Sequence, residues 1–178
     1  MSLELPIYNI PIELINQVEE TINRVIAENF SSAEQAELTY RPIRPEELNE
    51  SLTMETRTYV TTLTGGTTWD RILNATADIK PPVGSVYLFM GWFVVEDPSH
   101  PIGLDCIGRI YISNVLQDET LLSLVNLQEN NLYIKFKNII VVKPNTTISI
   151  QIKGTAGGKA IIYPFAFRIG PKAQLNPT

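Results

Sequence analysis

Apolar and polar positions alternate with a period of two through residues 131–170, the signature of half-buried β-strands. Ile148, Ile150 and Ile152 fall on one side, with Thr147, Ser149, Gln151 and Lys153 on the other. Before them, Leu132-Tyr133-Ile134-Lys135-Phe136-Lys137 alternates in the same way, and Lys143-Pro144-Asn145 supplies a turn between the two. After Gly154-Thr155-Ala156-Gly157-Gly158, one side is occupied by Ile161, Tyr163, Phe165, Phe167 and Ile169. The pattern predicts three consecutive antiparallel strands, with a hairpin turn at the glycines.

The period changes at the start of the chain. Pro11 suits the first turn of a helix, and Ile12, Ile15, Val18, Ile22, Val25 and Ile26 form one stripe that ends near Phe30-Ser31-Ser32. Ile15, Val18, Ile22 and Val25 also satisfy the a and d positions of two heptads, and β-branched residues at both lean towards three strands. An amphipathic helix lying on its own body or on a neighbour gives the same stripe. Residues 31–52 read as a connector with short helical pieces, one capped by Ser32, interrupted by Arg41-Pro42 and Arg44-Pro45. This places a boundary near Ser51, between a helical arm and connector (1–52) and a β body (53–178).

Strands are expected within the body at about 56–63 and 68–73, and a short one at 109–113. The run Val86-Tyr87-Leu88-Phe89-Met90-Gly91-Trp92-Phe93-Val94-Val95 is apolar on both faces, so it requires cover on both sides, either between sheet and helix or where another subunit docks. Gly91 marks a bulge or a close backbone approach. Residues 118–127 fit either a helix capped by Asp118 or a strand. About eight strands result, the number of a two-sheet jelly roll; a seven-stranded sandwich reads alike. The fold class is mainly β: an antiparallel, jelly-roll-like β-sandwich with an N-terminal α-helical arm.

Composition narrows the functional classes. The 178 residues suit one core with an appendage, and 44% hydrophobic content with 19% charged residues describes a folded chain with little charge to spare on its surface. Net charge is −5, distributed as −7 over residues 1–50 and +2 over the rest, which argues against nucleic-acid binding and lets the acidic arm meet a basic surface. A single cysteine, Cys106, permits no disulfide within the chain. Met1-Ser2-Leu3-Glu4 lacks the basic region and apolar run of a signal peptide, and the longest apolar run is about half of the roughly 20 residues a membrane helix needs. Neither secretion nor a membrane partner is expected.

Chemistry-bearing motifs are sparse. Gly154-Thr155-Ala156-Gly157-Gly158-Lys159-Ala160 resembles a phosphate loop in composition, but its glycine spacing is short, and it precedes a strand, not a helix. His100 and Cys106 share a loop with Asp97 and Asp105, yet one His and one Cys cannot complete a zinc set, and their spacing suits no nucleophile pair. Asp70, Asp78, Asp105 and Asp118 sit singly near turns. Tyr87, Phe89, Trp92 and Phe93 could stack on a sugar, but their interleaving with Val, Leu and Met points to core packing. No catalytic residue, cofactor or metal is expected.

An acidic amphipathic arm on a sandwich without a catalytic set resembles, in overall layout, the accessory capsid proteins of tailed bacteriophages and other viruses, of the decoration or cement type. That resemblance implies a non-enzymatic virion protein, assembled in the host cytoplasm, that forms a homotrimer or another small oligomer. It would bind the major capsid protein and stabilise the shell by burying apolar surface, at about 25 cal/mol per Å². The expected interface residues are Ile15, Val18, Ile22 and Val25, with Trp92 and Phe93. The alternative is a carbohydrate- or receptor-binding sandwich module.

Overall fold

A computed structural model describes residues 12–44, Glu47, 60–71, 79–122 and 133–175. Helix α1 (Ile12–Asn29) is followed by a single turn, α2 (Ser32–Gln35), and strand β1 (Leu38–Pro42). The strands β2 (Val60–Thr62), β3 (Asp70–Arg71), β4 (Val86–Glu96), β5 (Ile107–Ile112) and β6 (Val115–Leu121) come next. After them come β7 (Tyr133–Val142), β8 (Ile148–Lys153), β9 (Lys159–Pro171) and a terminal turn, α3 (Lys172–Leu175). The chain is mainly β, with antiparallel sheets and an N-terminal helix.

One sheet runs β1-β9-β4-β7, with β2 also on β9; the other runs β3-β8-β5-β6. Because β4 pairs with β9 along most of its length, β1 and β2 share the other edge of β9, at its two ends. The three strands expected to pair consecutively are all present, but they do not pair with one another: β7 and β9 flank β4, while β8 lies between β3 and β5. The turn at Asn145, where φ is +64°, carries the chain from one sheet to the other. The glycine segment 154–158 carries it back, so it is not a hairpin.

The two-faced apolarity of β4 has a direct cause. Tyr87 and Phe89 enter an apolar cluster built from both sheets, with Phe136 and Val142 of β7, Ile162 of β9, Ile110 of β5 and Ile148, Ile150 and Ile152 of β8. Leu88 and Met90 point the other way, into a second cluster with Phe165, Phe167 and Ile169 of β9. A register shift between Phe89 and Gly91 then inverts the parity, so that Trp92 and Val94 face the first cluster and Phe93 the second. Gly108 of β5 lets the Trp92 ring approach: a Cβ there would meet the indole at 3.0 Å.

The second cluster is closed by α1, whose Val18, Ile22 and Val25 are 2%, 0% and 2% exposed against β4 and β9. At about 2 kcal/mol for each fully buried aliphatic side chain, the three together hold the helix with about 6 kcal/mol before ordering costs. The stripe from Val18 to Ile26 is therefore consumed within the chain. Beyond the helix, Ser31 and Glu34 form a capping box on α2, and β1 pairs with β9 in register from Leu38↔Pro171 to Pro42↔Phe167. The boundary expected near Ser51 lies outside the described residues; of the elements before it, β1 pairs in the same sheet as β9 and β4.

A polar network pins the β1 end of this sheet. Glu47 takes two hydrogen bonds from the Arg41 guanidinium at 2.7 and 2.9 Å, one from Arg168 Nη1 at 2.6 Å and one from the Arg44 backbone N–H at 2.8 Å. Arg168, only 8% exposed, also donates to Ser85 Oγ and Gln174 Oε1. Burial alone would push the Glu47 carboxyl up; the donors from Arg41, Arg44 and Arg168 outweigh it and hold the group below its ordinary value.

Candidate docking face

The two sheets differ in what covers them. The outward side of the β1-β9-β4-β7 sheet lies under α1, whereas among the described residues no helix or strand covers the outward side of the β3-β8-β5-β6 sheet. Its strands are aligned by tight turns. At Ser113 and Asn114, φ is +47° and +67°, the signature of a two-residue type I′ turn, which sets β6 against β5 with Ile112 opposite Val115.

That register assembles rows of side chains from distant parts of the chain. Ile110, Ile148, Ile150 and Ile152 take the inner side, so Ile107, Arg109 and Tyr111 of β5 and Ser149, Gln151 and Lys153 of β8 face outward. One row runs Arg71, Gln151, Arg109, Glu119 across all four strands; the rows beside it are Lys153, Ile107, Leu121 and Ser149, Tyr111, Leu116. Trp69 lies flat on this surface, with Arg109 Cζ 3.8 Å from the ring centroid and Lys153 Nζ at 5.3 Å. Arg109 is braced from the other side by Glu119.

The margin of the face is greasy. Leu116 and Leu121 of β6, opposite Tyr111 and Ile107, are 46% and 37% exposed. A Trp, a Tyr and Arg beside exposed aliphatics is the composition enriched at protein interfaces.

The expected interface residues lie elsewhere. Val18, Ile22, Val25, Trp92 and Phe93 are covered by the chain's own apolar clusters and present no surface to a partner in this structure. Of the side chain of Ile15 nothing is described. Tyr87, Phe89, Trp92 and Phe93 are core residues, as their interleaving with Val, Leu and Met implied: all four rings are buried.

The loop residues weighed from the sequence do not come together as one group. His100 Nδ1 lies 2.8 Å from Asp97 Oδ2, and the Ser99 N–H donates to Asp97 Oδ1, so the carboxylate staples an exposed turn. Cys106 is instead buried in the shared cluster, and burial, with the charges of Asp105 and Glu96, pushes its thiol up to about 12. The glycine segment offers no nest for a phosphate. The N–H groups of Thr155, Gly157, Gly158 and Lys159 donate to the carbonyls of Ile102, Leu63, Thr155 and His100. Among the described residues no group of three or more His, Cys, Asp or Glu is placed to hold a metal ion, and no helix is long and apolar enough to cross a membrane.

The docking face was not singled out in the sequence. Ile107-Gly108-Arg109-Ile110-Tyr111-Ile112 does alternate, but the rows depend on pairing between residues as far apart as Arg71 and Gln151. No protein-family model matches the chain, and searches of curated proteins and of solved structures return no match.

Proposed function

We propose that the chain is a non-enzymatic structural subunit that oligomerises and docks on a larger protein assembly through the open face of the β3-β8-β5-β6 sheet. The form favoured is an accessory capsid protein of the decoration or cement type, bound to the major capsid protein of a virus or tailed phage. The observation that carries this reading is the outward-facing Trp69, Arg109 and Tyr111 beside the exposed aliphatics of β6.

We infer further that the two sheets are the layers of a jelly-roll sandwich. The strand orders support it: β2-β9-β4-β7 and β3-β8-β5-β6 are the two four-stranded layers that eight strands adopt when rolled as two Greek keys, with β1 added beyond them. Jelly rolls serve viral shells and lectins alike, so a carbohydrate- or receptor-binding module is the second reading, with Trp69 and Tyr111 as its aromatic groups.

Light scattering tests the first reading. The wild-type chain is expected at a multiple of its 20.0 kDa protomer mass, and the double substitution Leu116→Glu, Leu121→Glu at 20.0 kDa with unchanged far-UV circular dichroism. A wild-type monomer that shows saturable binding on a glycan array would favour the second reading.

A further inference from the structure

The outward side of α1 and the open sheet face lie on opposite sides of the molecule, because α1 covers the far side of the sheet whose near side shares a cluster with β5 and β8. They carry opposite charge. Glu19, Glu20 and Glu28 are exposed along α1, where Arg24 is the one base, and the exposed Glu34 and Glu37 extend the acidic strip. On the open face Arg71 is exposed and Arg109 and Lys153 are half-buried, with Glu119 at the far end of the row of Arg71 and Arg109.

We propose that the occupant of the open face is the acidic side of α1 of a second copy of this chain, docked head to tail. This rests on the docking reading above and deepens it by naming the partner surface. The dimensions agree. Eighteen helical residues span about 27 Å at 1.5 Å each. Strands β8, β5 and β6, of six, six and seven residues, with the two-residue β3 at the edge and about 4.8 Å between neighbours, make a face of about 14 by 20 Å, whose diagonal is close to the helix length.

Charge also selects the arrangement. A two-fold pairing of open faces would set Arg71, Arg109 and Lys153 against themselves, and a pairing of helices would set acid against acid. Head-to-tail contact joins unlike surfaces and leaves the growing assembly with one free face of each kind, at its two ends, so it propagates until the rotation closes a ring. A face of this size, about 300 Å² on each partner, is smaller than a stable specific interface, so one contact is weak and the ring or a shell supplies the avidity.

The test is a charge swap on the full-length chain, read by sedimentation velocity. In low salt the wild type associates, and 1 M salt, where screening acts within about 3 Å, returns it to 20.0 kDa. Glu19→Lys with Glu20→Lys, or Arg71→Glu with Lys153→Glu, weakens association at least about tenfold, and the four substitutions together in one chain restore it. All four side chains are solvent-accessible, so melting temperatures should stay within a few degrees of wild type. If charge reversal and salt change nothing while Leu116→Glu, Leu121→Glu still dissociates the oligomer, the docking reading stands and the helix is not the occupant. If the wild type is 20.0 kDa throughout, both fail.

Discussion

Glu47 illustrates how a single side chain sets a pH limit. Its carboxyl sits below its ordinary value of 4.5 in the folded chain, so the stability it contributes is complete above about pH 4.5 and is lost as pH falls through the lower folded value. Replacing Glu47 with Gln leaves the Arg168 guanidinium buried beside an uncharged partner, and should cost about 3 kcal/mol at pH 7 by chemical denaturation. That difference between variant and wild type should shrink below pH 4; a difference constant from pH 3 to 7 would contradict the charge network. Cys106 sets the opposite kind of limit. Its thiol, pushed up to about 12, stays protonated at pH 8 and is expected to resist a disulfide reagent in the native protein while reacting promptly in denaturant. The sequence identified neither limit. A lone Cys and a Glu in a proline-punctuated stretch carry no sign of their burial, and the partners of Glu47 include Arg168, 121 positions away.

At the level of elements, α1 is the clearest case of a pattern that predicts structure but not destination. Its stripe forecast a helix ending near Phe30, and the helix ends at Asn29. The same stripe satisfies a heptad seam and the surface of a sheet, because both need β-branched residues three and four apart, and only the apolar second face of β4 decides between them. Ile22→Ala should therefore cost about 3 kcal/mol of global stability. Glu20→Ala on the exposed side should stay within about 0.5 kcal/mol. A stability unchanged by Ile22→Ala would mean that the helix is not packed on its sheet. The double apolarity of β4 and the break at Gly91 were legible for the same physical reason. Strand β1 was not, since Arg41-Pro42 reads as an interruption; as the edge strand of the described sheet, paired with β9, it tolerates Pro42 at its end. Nor could Pro144-Asn145 reveal that β8 crosses to the other sheet, because a turn fixes local direction and not the partner strand.

For the whole molecule, one sheet closed by its own helix and another whose outward side is uncovered among the described residues produce a body with two unlike sides. The central claim is that the open side is where another protein sits. Hydrogen exchange followed by mass spectrometry locates the contact directly, by comparing the full-length chain when dilute and when concentrated enough to associate. The account predicts that amides of β5 and β6, residues 107–121, gain protection on association and that the buried segments of β4 and β9 do not change. Association accompanied by protection elsewhere, with residues 107–121 exchanging as fast as in the dilute protein, would contradict it.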